Sequence, residues 1–223
     1  MAPDDSQFDA LILAGGRSSR LGGVPKQALT YDGATLLQRT LDAAAGAQAV
    51  VVVGPDPGPL PAGVITCREE PPFAGPASAI GAGLAALEGI VGPRPAFTLL
   101  LACDMPSVGH AVDALRRALG SGDGVMAVSA DGHRQPLVGI YSTEALQRSV
   151  RDLNSRGALI NGSVSALLAR LDVQLVTVPA GSTDYVDTWD DAAALGVAGQ
   201  EPSPGSGPAR QQSIWEADSE KPG

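Results

Sequence analysis

Short apolar runs, separated by stretches of helical spacing, leave this chain few folds to choose from. Residues 8–14, 49–53, 64–67 and 96–102 are mostly apolar and too short for helices. The valine-rich run at 49–53 reads as a strand buried on both faces. Residues 36–45, 77–87 and 108–119 carry apolar side chains at helical spacing, with Thr35 placed to cap the first. Strand and helix thus alternate, which predicts α/β layering around a largely parallel sheet. Strands at 124–129 and 135–141 lie close enough in sequence to pair as a hairpin, so the sheet should be mixed. Helices are predicted at 143–153 and 157–171, then a strand at 173–178 and a last helix, capped by Thr188 or Asp187, ending at Leu195. In open sheets of this kind, ligands sit outside the carboxyl ends of the strands. The loops 14–26, 68–76 and 103–106 all follow predicted strands and should converge there.

The first of these loops is the most informative. It holds Gly15, Gly16, Gly22 and Gly23, ends on Lys26 and carries Arg17 and Arg20. Glycines allow close backbone approach to a ligand, and successive amide N–H groups form a concave nest for phosphate oxygens. The loop is a cationic patch in a chain of net charge -9, which marks it as a triphosphate cradle. It lacks the G-x-G-x-x-G order of dinucleotide folds, and Lys26 is followed by Gln27, which excludes the Walker A pattern.

Asp104 is the second feature. A carboxylate at the end of the apolar run 97–102 emerges where the ligand should sit, and Mg²⁺ prefers one or two carboxylates plus substrate phosphates. Capping of the following helix is the simpler role for the same residue. No Ser-His-Asp arrangement or activated cysteine is evident. A phosphorylated acceptor needs no general base, because it is already an anion at neutral pH. Catalysis then reduces to in-line placement and charge neutralisation on the α-phosphate and pyrophosphate. Arg20, Lys26 and an Asp104-bound Mg²⁺ are the groups available for it.

Residues 13–26 resemble the signature L-A-G-G-x-S-x-R-[ML]-G-x-x-K of the MobA-like nucleotidyltransferases, with Ser18, Arg20, Leu21, Gly23 and Lys26 in place. Cys103-Asp104-Met105-Pro106 resembles the family's C-D-x-P motif, whose aspartate binds magnesium. The segment from Glu69 to Ala77 is similar to its E-D-x(n)-G-P-L-A-G stretch, with Glu at 70 and Ala at 77 as departures. The resemblance puts Leu13, Ala14, Gly15, Gly16, Glu70 and Gly75 at the nucleotide alongside Lys26 and Asp104. Asp187-Thr188 resembles the late N/D-x-[ND]-T-P-E-D segment, with Trp189 in place of proline. It implies contacts from Asp187 to the second substrate or the metal, while a plain helix N-cap is the other reading. His133, Arg134 and Gln135 are candidates for an anionic acceptor, in a stretch that also reads as a polar turn.

The resemblance spans residues 8–198. It implies a Rossmann-like, three-layer nucleotidyltransferase fold and a molybdenum cofactor guanylyltransferase activity. GTP and molybdopterin would be the substrates and Mg²⁺ the cofactor. The double glycine at 15–16 favours the guanylyl branch over cytidylyl and sugar-phosphate relatives, which tend to read L-A-A-G. The alternatives from these residues are such a relative or a nucleotide-binding regulator without catalysis. An acceptor this labile calls for delivery by protein contact, so molybdenum cofactor insertion or molybdoenzyme maturation proteins are the expected partners.

Composition narrows the setting. Acidic residues outnumber basic ones, 24 to 15, which argues against nucleic acid. Two cysteines outside any C-x-x-C pair suit a reducing compartment. No run approaches a membrane span and residues 1–7 do not form a leader, so a cytoplasmic protein is expected. Residues 1–7 read as a flexible N-terminus and 199–223, rich in Pro, Gly and Ser, as a disordered tail.

Overall fold

The computed structural model describes residues 8–16 and 18–199. The expected flexible N-terminus, Arg17 and the tail from residue 200 lie outside the described residues.

The apolar runs form the strands β1 (Phe8–Leu13), β4 (Val50–Val53), β5 (Val64–Cys67) and β6 (Phe97–Ala102). They align in parallel, with Leu11 level with Val51 and Leu100. The sheet continues through β8 (Arg134–Ser142), β7 (Gly124–Val128) and β9 (Val173–Thr177) in the order β5-β4-β1-β6-β8-β7-β9. Within this seven-stranded sheet β8 alone runs antiparallel, against both β6 and β7. The sheet is therefore mixed and mostly parallel, as expected.

Helices cover both faces. α1 (Leu36–Ala43) and α3 (Val108–Ala118) pack against one face, while α2 (Pro76–Glu88), α4 (Thr143–Ser155) and α5 (Val164–Leu168) pack against the other. Strand alternation splits the central residues between the layers: Ile12 and Leu101 face α1 and α3, Leu11 and Leu100 face α2. Each is fully buried, a contribution of roughly 1.5–3 kcal/mol per side chain. With few aromatics, close approach replaces bulk. A Cβ on Gly83 of α2 would sit 3.0 Å from the side chains of Leu11 and Val53.

Thr35 caps α1 as predicted, its hydroxyl accepting from the Gln38 N–H at 3.0 Å. It also closes a small hairpin of β2 (Thr30–Tyr31) and β3 (Ala34–Thr35). The expected helix over 157–171 is not formed. Residues 157–163 are an irregular segment, with Asn161 at φ 60°, and α5 starts only after Ser163, whose hydroxyl caps it. The helical pattern yields there to the neighbouring loop: Asn161 N–H donates to the Ala74 carbonyl and Ala77 N–H to the Gly162 carbonyl. The last helix, α6 (Trp189–Leu195), is capped by Thr188 in a capping box with Asp191.

Candidate active site

The glycine loop leaves β1 against its neighbour strand. Ala14 N–H donates to the Val53 carbonyl at 2.8 Å, and Ala14 is buried. A side chain on Gly54 would overlap the Ala14 backbone, so the chain passes there only as glycine. The loop then moves outward; Gly16 has φ 137° and open space above its Cα. Ser18 adopts a left-handed conformation, and its carbonyl accepts from the N–H groups of Leu21 and Gly23 at 2.9 and 3.0 Å. These bonds fold residues 19–21 into a single turn that presents Arg20 while burying Leu21.

Leu21 and Val186 belong to one satellite cluster with Leu29, Leu36, Ala192 and Val197. Their charged neighbours, Arg20 and Asp187, are thereby held opposite one another and form an ion pair. Val186 N–H also donates to the Asp104 carbonyl at 3.0 Å, tying this late segment to the end of β6. Lys26 Nζ stands between the two carboxylates, 2.8 Å from Asp187 Oδ1 and 3.4 Å from Asp104 Oδ2. Residues from three distant parts of the chain thus meet at one lysine.

The carboxylates differ electrostatically. Burial pushes the Asp104 carboxyl above its usual range, against the opposing pull of Lys26. The hydrogen bond from Lys26, reinforced by Arg20, holds Asp187 below the usual range. Burial alone would depress Lys26, but its bonds and charge contacts with Asp187 and Asp104 outweigh that and raise it, keeping the amine cationic at neutral pH. Asp104 does not cap α3. That helix begins at Val108 after Ser107, with no side-chain cap. Asp104 Oδ1 is buried and has no hydrogen-bond partner among the described residues, an arrangement that leaves it free to accept a ligand. One orphaned carboxylate oxygen, with a second carboxylate across Lys26, is a donor set suited to Mg²⁺.

A cavity of about 520 Å³ opens over these groups, lined by Gly15, Gly16, Ser18, Ser19, Arg20, Lys26, Gly75 and Asp104, with Leu13 at its floor. The loop over 68–76 contributes Glu69 and Phe73 to it. A second cavity of about 750 Å³ adjoins it, sharing Arg20 and Asp187 and adding His133, Arg134, Gln135 and Tyr185. His133 Nδ1 lies 2.9 Å from Asp131 Oδ2 at its exposed rim.

Most of the predicted residues therefore assemble around two adjoining cavities. Ala14 lines neither and serves the strand end. Glu70 is exposed and outside both, while its neighbour Glu69 is buried and accepts from the Phe73 N–H at 2.9 Å. Either residue of an acidic pair can face inward when a loop, not a strand, carries it. Sequence reasoning passed over Ser19, Gln27 and Phe73. Ser19 and Gln27 flank Arg20 and Lys26, so adjacency was the only signal.

A mostly parallel sheet, with a glycine loop after its first strand and a lysine between two carboxylates at the strand ends, is an α/β nucleotidyltransferase arrangement. The chain belongs to the MobA-like NTP transferase domain family, whose model matches residues 10–175. Among curated proteins, none matches the chain. Solved structures agree on the fold. Rv0371c from Mycobacterium tuberculosis H37Rv is 26% identical, with a TM-score of 0.60 over 85% of this chain and 98% of that one. Molybdopterin-guanine dinucleotide biosynthesis protein A from Archaeoglobus fulgidus is 19% identical, with a TM-score of 0.61 over 84% and 96%. The 2-C-methyl-D-erythritol 4-phosphate cytidylyltransferase of Thermus thermophilus is also 19% identical, with a TM-score of 0.60 over 85% and 98%. Among the described residues no helix is long and apolar enough to cross a membrane.

Proposed function

We propose that this nucleotidyltransferase moves GMP from GTP to Mo-molybdopterin, releasing pyrophosphate and forming the guanine dinucleotide cofactor. The observation that carries the reading is the shared wall of the two cavities. Arg20 and Asp187 border both, and Lys26 stands beside them. A two-substrate transfer requires such a junction. The glycine-lined cavity takes the triphosphate, and the second takes the phosphorylated acceptor. An acceptor phosphate oxygen attacks the α-phosphorus; the bond to the β-phosphate oxygen breaks and pyrophosphate leaves. Arg20 and Lys26 neutralise the charge carried by the phosphates, and the raised pKa of Lys26 keeps it ready at neutral pH. Asp104 and Asp187 would hold a magnesium ion, which supplies further positive charge against the phosphates. The Gly15–Gly16 pair supports the guanylyl branch over its relatives.

The test is product formation. Purified protein, Mo-molybdopterin, Mg²⁺ and each of GTP, CTP, UTP and ATP are assayed for pyrophosphate and dinucleotide. GTP-selective turnover is expected. CTP-selective turnover would reassign the chain to the cytidylyl branch. Nucleotide binding without pyrophosphate release from any phosphorylated acceptor would favour a regulator.

A further inference from the structure

The two cavities are divided by a break in β8 that no motif announces. Gly139 of β8 pairs with Met126 of β7, yet the next β7 residue, Ala127, pairs with Gln135. Residues 136–138 are therefore extra on β8 and bulge from the β7 ladder. On its other side β8 keeps its register with β6 as far as Val138 opposite Leu101, close to where Asp104 leaves the sheet. In a regular strand, Gln135 and Leu137 would point to the same face. Here Leu137 lines the first cavity and Gln135, with Arg134, the second.

A single side chain pins this bulge. Tyr141 is fully buried, and its hydroxyl donates to the Pro136 carbonyl at 2.9 Å. Gly139 makes room for it, because a Cβ there would overlap the Tyr141 ring. Burial also raises the phenol's pKa far above neutrality, so the hydroxyl stays a donor. A phenylalanine at this position would keep the ring and lose only the hydroxyl and its bond to Pro136.

We infer that Tyr141 is a positioning residue: by fixing the bulge at 136–138 it sets where Arg134 and Gln135 seat the acceptor relative to the nucleotide. This rests on the two-substrate reading for its acceptor readout but has a second readout that does not. Tyr141→Phe removes the hydroxyl and keeps the ring. One net hydrogen bond corresponds to roughly a fivefold effect. The variant should raise KM for Mo-molybdopterin by about that factor and leave KM for GTP within about twofold. Amide hydrogen exchange at Arg134, Gln135, Leu137 and Val138 should accelerate by a similar factor while residues 139–142 hold their rates. Unchanged exchange with unchanged KM values would overturn the inference. So would an equal rise in both KM values, which would mark a general loss of structure. If the wild type fails to turn over Mo-molybdopterin, the proposed acceptor is wrong, and the exchange pattern still decides the role of Tyr141. Gly139→Ala serves as the second variant: it crowds the ring that donates to Pro136 and should likewise accelerate exchange at Leu137 and Val138.

Discussion

The two halves of the sheet solve different problems. The half built from β5, β4, β1 and β6 is parallel, its central strands are almost wholly buried, and it ends in the glycine loop and Asp104. The other half contains the antiparallel β8, a bulge, and an edge strand β9 whose residues are half-buried or exposed. The first offers backbone groups and fixed charge at its cavity. The second presents side chains such as His133, Arg134 and Tyr185 around a wider cavity. The same division separates the two carboxylates: Asp104, from the buried half, has its pKa raised, and Asp187, from the late segment, has it lowered. A rigid half suits the part of a reaction common to all nucleoside triphosphates, and a more open half suits the acceptor that differs between enzymes.

Mutations can break this comparison at its junction. The largest effect is expected for Lys26→Ala, with turnover falling by roughly a hundredfold or more at an unchanged fold, as for removal of a preorganised charge partner. Steady-state pyrophosphate release with circular dichroism as control measures it, and near wild-type kcat would refute the role given to Lys26. Asp187→Asn should cost less, roughly tenfold in kcat/KM, because Lys26 keeps Asp104 as a partner. An equal loss in the two variants would mean that Lys26 depends on Asp187 alone and that Asp104 does not serve as its second partner.

Stability should divide along the same line. Leu101→Ala, in the fully buried β6, is expected to cost about 2–5 kcal/mol in denaturant unfolding. Leu175→Ala, on the exposed edge strand β9, should stay within about 0.5 kcal/mol. Comparable losses would show that β9 is far better packed than its exposure indicates.

The smallest effects concern pH. Asp187 has a depressed folded pKa, so its stabilising contribution is present above the unfolded value and lost as pH falls through the lower folded one. Asp104 has a raised folded pKa, so it favours the folded state at low pH and opposes it once ionised. Thermal unfolding at neutral pH should therefore rank Asp104→Asn above the wild type and Asp187→Asn below it. In strong acid, below both folded pKa values, the differences should vanish. The opposite ranking at neutral pH would reverse the assigned environments.

What the sequence made legible follows the same division. Buried parallel strands are continuous apolar runs, so β1, β4, β5 and β6 were readable to within a residue or two, and Asp104 stood out as a charge at the end of one. The cradle was readable because glycines and cations cluster in a few consecutive residues. Three features were not readable. The expected helix at 157–171 gave way to hydrogen bonds with residues 74 and 77, partners that spacing cannot reveal. Glu69 faces the cavity where Glu70 was expected, because loop conformation has no fixed period. The meeting of Arg20 with Asp187 depends on Leu21 and Val186 sharing a small apolar cluster across the chain, a tertiary fact.

The most direct test of the central claim is thermal stability with GTP, CTP, UTP and ATP in turn, each with and without Mg²⁺. A nucleotide at a hundred times its dissociation constant adds about 2.7 kcal/mol, a readable shift. A shift selective for GTP is expected, enlarged by Mg²⁺ in the wild type and no longer enlarged in Asp104→Asn. No shift with any nucleotide, or a Mg²⁺ enhancement that survives the loss of the Asp104 carboxylate, would contradict it.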